Sequence, residues 1–208
     1  MFITFEGLDF SGKSTQAKML HEYLLSIGVK CLLLREPGGT KISEKVREII
    51  LDRKHIEMTP LTEFMLFSAS RSQLVSQVVK PHIRKGYVVI CDRYYDSSTA
   101  YQSYGGSLEL KDVQKVNEIA TGGLKPDLTI LIDLTPKAAF SRAHKRASAK
   151  DRMEIKNLAF YNRVYKGFKD IANRNKKRFV VIKGSLTIEE IGLAIRKTVN
   201  KKLNISNE

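Results

Sequence analysis

The sequence predicts an α/β fold in which helices flank a five-stranded parallel sheet. Three observations carry this reading. Five apolar runs of strand length recur along the 208 residues. These runs are nearly continuous rather than alternating, as strands buried on both faces of a parallel sheet are. Stretches with helical spacing lie between them, and alternating strands and helices imply parallel crossover connections.

The first strand is expected over Phe2–Phe5. Residues 14–27 then set Ala17, Leu20, Leu24 and Ile27 at steps of three and four, which gives a helix. Cys31–Leu34 reads as the second strand. Residues 60–79 place Leu61, Phe64, Met65, Ser68, Leu74 and Val78 on one broad helical face. Strands follow at Tyr87–Cys91 and Leu128–Leu134, then a helix over 154–172, a strand at Phe179–Ile182 and a helix over 187–199. No repeat and no linker rich in Pro, Gly or Ser interrupts the chain, so a single domain over residues 1–208 is expected. Ligands of such folds sit at the carboxyl ends of the strands.

Composition narrows the class. Hydrophobic residues make up 42%, too many for a disordered chain. No apolar run approaches the ~20 residues that span a bilayer, and Met1-Phe2-Ile3-Thr4-Phe5 has no basic leader. Cys31 and Cys91 both lie in apolar runs and read as buried, reduced thiols of a cytoplasmic protein. Net charge is +14, with 36 Lys and Arg against 22 Asp and Glu, which favours polyanionic partners. Runs such as Lys176-Lys177-Arg178 read as a solvated face, and charge alone does not separate a nucleotide enzyme from a nucleic-acid binder.

The first motif does more. Gly7-Leu8-Asp9-Phe10-Ser11-Gly12-Lys13-Ser14 follows the pattern G-x-x-x-x-G-K-[ST], with Thr15 next in the helix it opens. Glycines let backbone N–H groups wrap a phosphate, Lys13 supplies a point charge to the β- and γ-phosphates, and the Ser14 hydroxyl ligates Mg²⁺. A strand before the motif and a helix after it are the context it demands, and that helix aims its positive end at the anion. At the third strand's end, Asp92 is followed by Arg93. Hydrolase motors usually carry two acids there. An arginine beside the metal site, where Ser14 and Asp92 are the candidate ligands, suits a second bound phosphate. The competing reading is an Asp–Arg pair that ties down a loop.

Further segments follow in order: Phe5-Glu6-Gly7; Arg35-Glu36-Pro37-Gly38-Gly39; Leu66-Phe67-Ser68-Ala69-Ser70-Arg71; Asp92-Arg93-Tyr94 through Ser97-Ser98 to Ala100-Tyr101-Gln102; Pro126-Asp127-Leu128-Thr129; and Asp151-Arg152-Met153-Glu154. With them the chain resembles the bacterial thymidylate kinases over nearly its whole length. The resemblance implies a P-loop nucleotide kinase architecture with a short mobile lid. It also implies ATP as donor with Mg²⁺, thymidine monophosphate as acceptor, and a homodimer, with no nucleic-acid or membrane partner. Residue by residue, it implies that Phe67 stacks on thymine, that Arg71 donates to a base carbonyl, and that Ser98 and Gln102 read the base edge. Tyr101 would crowd the place of a ribose 2′-hydroxyl. Arg47 and Arg93 would grip the acceptor phosphate, Asp9 would lie near the 3′-hydroxyl and the metal, and Glu36-Pro37 would form a turn beside the acceptor. On spacing alone, Phe67 reads as core, Tyr101 as packing and Ser98 as a helix cap.

One departure matters. Some members of the family carry an arginine at the position of Phe10, and others carry basic residues in a lid. Residues 142–152 fit the second arrangement, with Arg142, Lys145, Arg146 and Arg152 as the available cations. Arg152 and Arg146 are the expected catalytic charges alongside Lys13, Arg93 and Asp9. Two other classes fit less well: a kinase for another acceptor, such as a deoxynucleoside, and a nucleic-acid-dependent ATPase.

Overall fold

The computed structural model describes residues 1–144, 152–153 and 156–205. Five parallel strands, β1 (Phe2–Glu6), β2 (Cys31–Arg35), β3 (Val88–Asp92), β4 (Leu128–Asp133) and β5 (Phe179–Lys183), lie in the order β2-β3-β1-β4-β5. All five expected strands form, each ending within one residue of its expected limit. Side chains alternate across the sheet, and both faces are covered. Ile3, Phe5, Ile90 and Ile130 pack on one side under α1 (Lys13–Ser26) and α9 (Ile188–Leu203). On the other side Phe2, Val89 and Cys91 meet Leu74, Val75 and Val79, while Leu131 joins Val164 and Phe168. Cys31 and Cys91 are free and buried.

The remaining helices are α2 (Lys41–Leu51), α3 (Pro60–Leu74), α4 (Lys80–Arg84), α5 (Tyr95–Ser98), α6 (Leu110–Thr121), α7 (Pro136–His144) and α8 (Leu158–Arg174). Caps fix several of their starts. Thr59 accepts from Thr62 N–H before Pro60 opens α3, Asn157 accepts from Phe160 N–H at α8, and Thr187 and Glu190 form a reciprocal capping box at α9. The Asn157 cap is why α8 begins at Leu158 rather than at the expected 154.

The expected helix over 60–79 runs as α3 and then widens into a π-helical segment, Val75–Val79. Leu61 and Met65, assigned to its buried face by spacing, are about half exposed at 54% and 48%. Helices α2 and α6 were not among the expected elements. In α2 only Ile50 among the apolar residues is buried, and in α6 only Val113 and Ala120 are. A second π-helical segment, Thr99–Gly105, extends α5 and carries Tyr101 and Gln102. Such wide turns occur often at functional sites.

Candidate functional site

A cleft of about 320 Å³ opens over the carboxyl ends of β1, β2 and β3. At one end is the phosphate loop. Gly7 adopts φ 138°, and a Cβ there would lie 2.7 Å from the Ile132 carbonyl oxygen, so only glycine fits. Gly12 at φ 97° delivers the chain into α1 with no side-chain cap. The first N–H groups of α1 are thus left for an anion. The Lys13 ammonium donates to the Leu8 carbonyl at 2.8 Å, closing the loop on itself. Desolvation and the neighbouring Arg93 charge lower the Lys13 pKa to about 8, against the pull of Asp92, Asp9 and Glu6. Leu8 itself is core, Phe10 lines the cleft with φ 63°, and Ser14 and Thr15 are exposed on the first turn of α1.

Ser14 Oγ donates to Asp92 Oδ2, so the two candidate metal ligands are in contact. Asp92 Oδ1 is buried and has no hydrogen-bond partner, which leaves an oxygen available to a hard cation. Among the described residues no cluster of three His, Cys, Asp or Glu occurs. Two protein oxygens suit Mg²⁺, which keeps waters and phosphate oxygens as its other ligands.

Asp92 and Arg93 do not pair with each other. The Arg93 guanidinium bonds to Asp9, to Ser97 Oγ at 3.0 Å and to the Gly7 carbonyl at 3.1 Å. It also lies 5.2 Å from the Tyr101 ring centre. Its backbone is left-handed, at φ 71°. Behind it Glu6, fully buried, accepts from Tyr94 N–H at 2.8 Å and Ser97 Oγ at 2.5 Å and so holds the turn. Burial, and then the nearby Asp96 charge, raise the Glu6 carboxyl to about 8. Asp9 shows the reverse outcome. Desolvation pushes it up, but Arg93, Lys13 and the Tyr101 hydroxyl at 2.8 Å hold it below the usual carboxylate range.

The other end is a cradle of buried polar side chains. Arg71 is 2% exposed, yet it lines the cleft. Its Nε donates to Glu36 at 2.7 Å, and its two terminal nitrogens donate to Asn117 and Ser98 at 3.0 Å each. Glu36 precedes a cis peptide bond to Pro37, and its second oxygen is buried without a partner. Arg47 donates to the Pro37 carbonyl at 2.9 Å and faces the same cleft. Phe67 is half-buried, packed on the second core cluster while lining the cleft, so it is neither plain core nor free. Ser98 makes no cap hydrogen bond and instead accepts from Arg71. Tyr101 packs edge-on against Phe160, Tyr161 and Phe168 and also reaches Asp9. Gln102 donates to Glu63 at 3.0 Å.

The basic segment divides. Arg146 lies outside the described residues. Arg142 donates to the Gly184 carbonyl at 2.8 Å and to the Ser11 carbonyl at 3.4 Å, touching the phosphate loop from its outer side. Arg152, expected as a catalytic lid cation, is packed beside Ile50 and Glu63. It is 6% exposed, donates to the Ile50 carbonyl at 2.8 Å and pairs with Glu63 at 2.7 Å. A buried guanidinium needs a fixed carboxylate, and Glu63 supplies it. Sequence reading missed Glu63, Asn117, Ser97 and Tyr161. Ser97 lines the cleft within a quoted segment but was given no role, and Glu63, Asn117 and Tyr161 act on the lining residues Gln102, Arg71 and Asp9 from behind.

A chain with this cleft can hold a polyphosphate at one end and a flat, hydrogen-bonding ring at the other. Its relatives agree. The thymidylate kinase family profile matches residues 5–195. A thymidylate kinase of Thermoanaerobacter sp. (strain X514) is 45% identical over 202 residues, covering 97% of this chain and 98% of that one. A thymidylate kinase of Dehalococcoides mccartyi (strain CBDB1) is 45% identical over 208 residues, covering 100% and 99%. The crystal structure of the Ehrlichia chaffeensis thymidylate kinase superposes with a TM-score of 0.80 at 35% identity, covering 96% of this chain and 98% of that chain. With a family profile spanning most of its length and relatives matched nearly end to end, the chain belongs to the thymidylate kinase family.

Proposed function

We propose that this protein transfers the γ-phosphate of ATP to thymidine monophosphate, giving thymidine diphosphate for dTTP synthesis. One observation carries the reading. A phosphate loop and the buried Arg71 cradle line a single cleft, and Asp9 and Arg93 lie between them.

In this reading Gly7 through Thr15 hold the donor phosphates. Phe67 stacks on the base while Arg71, Ser98 and Gln102 meet its edge. Arg47 and Arg93 hold the acceptor phosphate, and Glu36 keeps Arg71 in place. An acceptor oxygen attacks the γ-phosphorus in line. That oxygen is already anionic, so positioning and charge neutralisation do most of the work. Lys13 and Arg93 neutralise the inner side. Ser14 and Asp92 would hold Mg²⁺, which would supply neutralising charge to the phosphates. The basic segment around Arg146 is the proposed source of charge on the outer side, with Arg152 anchoring that segment at the acceptor end. The protein is read as cytoplasmic. No described helix is long and apolar enough to cross a membrane. The homodimer reading is supported by half-exposed or more exposed Ile42, Ile49, Leu61, Met65 and Ile119 on three neighbouring helices, α2, α3 and α6.

ADP release coupled to thymidine, deoxyuridine and uridine monophosphates tests the assignment. Thymidine monophosphate should be the best acceptor. ATP hydrolysis that needs DNA or RNA and no acceptor would refute the assignment.

A further inference from the structure

We infer that Glu63 is a specificity-determining positioning residue: it locks the Gln102 amide so that an acceptor, not a donor, faces the base. Glu63 lies in the first turn of α3, 8% exposed, with no place in the phosphate-binding machinery. One of its oxygens pairs with Arg152 at 2.7 Å, and the other accepts from Gln102 Nε2 at 3.0 Å. An ion-paired carboxylate has no proton to give, so it can only accept. The Gln102 amide therefore has one stable orientation, with NH₂ toward Glu63. Its carbonyl oxygen has no donor among the described residues, and Gln102 lines the cleft.

The inference rests on Arg71 and Gln102 meeting the base edge, and it states what that edge must be. Arg71 can only donate. A locked Gln102 can only accept. A donor beside an acceptor matches the 4-oxo, 3-NH edge that thymine and uracil share. Cytosine presents the reverse, an amino group at C4 and an acceptor at N3, so both contacts would oppose like against like. A free glutamine would turn over and donate to cytosine N3, which would relieve one of the two oppositions, and the lock forbids this. Ser98 cannot impose the code, because a hydroxyl rotates to donate or accept. A buried ion pair between Glu63 and Arg152 is a poor way to gain stability, which fits a role in specificity.

Glu63→Gln is the test, read as the ratio of kcat/KM for thymidine monophosphate to that for deoxycytidine monophosphate. An amide at position 63 can donate to Gln102, so the lock is lost. The ratio should fall by about tenfold or more, the loss expected when a discriminating hydrogen bond becomes adaptable. The KM for ATP should stay within about twofold of wild type, and so should the ratio of thymidine to deoxyuridine monophosphate, since those bases share one edge. Glu63→Asp, which keeps the acceptor, should restore discrimination. If Glu63→Gln does not fold, the Glu63→Gln/Arg152→Gln double variant removes both charges and carries the same ratio test. Gln102→Leu separates the two layers of the argument. If it leaves acceptor KM unchanged, Gln102 does not read the base. If it raises acceptor KM while Glu63→Gln keeps full discrimination against cytosine, the lock is refuted and base reading stands.

Discussion

The donor and acceptor ends of the cleft are built by different means. The donor end is backbone: a run of residues from Gly7 to Ser14, bent by glycines at φ 138° and 97°, with one lysine folded onto its own loop. The acceptor end is side chain. Glu36, Glu63, Arg71, Ser98, Gln102 and Asn117 come from four segments of the chain and form two hydrogen-bonded groups, one around Arg71 and one between Glu63 and Gln102, with bonds at 2.7 to 3.0 Å. A backbone cradle binds any polyphosphate and specifies little. A buried network fixes where each donor and acceptor points, while two of the five Arg71 N–H groups stay uncommitted, so such an end is suited to telling one base from another. Generic affinity and specificity are thus separated along a single groove.

Breaking the donor end should cost most. Lys13→Ala removes a charge from the transferring phosphate and should lower turnover by ~10²–10³, or ~3–4 kcal/mol. No packed core depends on the ammonium, whose hydrogen bond among the described residues goes to the Leu8 carbonyl, so the melting temperature should hardly move. A variant that keeps more than about a tenth of wild-type turnover would overturn the role of the loop.

Breaking the acceptor end should look different. Arg71→Ala withdraws a charged donor from the base, worth roughly 1.5–3 kcal/mol of acceptor affinity. It also strands Glu36, whose side chain is 3% exposed, so stability should fall as well. KM for thymidine monophosphate should rise about tenfold or more while KM for ATP stays nearly constant. Equal weakening of both substrates would make Arg71 structural.

This contrast also explains what the sequence revealed. The phosphate loop is contiguous, and its residue types follow from backbone geometry, so Gly7 to Ser14 could be read from the residues alone. The strands were legible because both sheet faces are buried. Arg71, Phe67 and Gln102 were legible only through family resemblance, since Phe67 on spacing reads as core and a buried arginine leaves no periodic trace. Glu63 and Asn117 were invisible. Each is a polar residue on a helix, and its partners, Gln102 and Arg71, are 39 and 46 residues away. Arg152 was noticed as a lid cation, but its burial against Glu63 was not foreseen, because a charge run does not disclose which member turns inward.

The pH dependence sharpens the comparison at intermediate size. Lys13 titrates at about 8 with the site empty. The charged form is the one that holds phosphate, so kcat/KM for ATP should be flat below that pH and fall as pH rises through it, by roughly tenfold at about pH 9. Bound phosphates favour the charged ammonium and raise its pKa, so kcat at saturating ATP should hold to higher pH. Acceptor KM should not follow the same curve, because Lys13 belongs to the phosphate loop and not to the Arg71 cradle. A profile in which kcat and kcat/KM fall together at one pH would place the titrating group elsewhere.

The smallest effect is expected where the two ends meet, at Tyr101. Its ring packs against Phe160, Tyr161 and Phe168, and its hydroxyl donates to Asp9 at 2.8 Å. Two variants divide these contributions. Tyr101→Phe keeps the ring and loses one hydrogen bond, a cost of ~0.5–1.5 kcal/mol, or a few-fold in turnover. Asp9 retains Arg93, and its 3.3 Å contact with the Tyr161 hydroxyl, so its charge stays compensated. The preference for deoxy over ribo acceptors should survive, because exclusion of a 2′-hydroxyl depends on the volume of the ring. Tyr101→Ala removes that volume and should narrow the preference, with thymidine and ribothymidine monophosphates as the paired substrates. If Phe narrows it as much as Ala does, the hydroxyl and its bond to Asp9 set the sugar preference, and discrimination at this position is polar like the rest of the acceptor end. If neither variant changes it, Tyr101 is packing alone and the sugar is read elsewhere in the cleft.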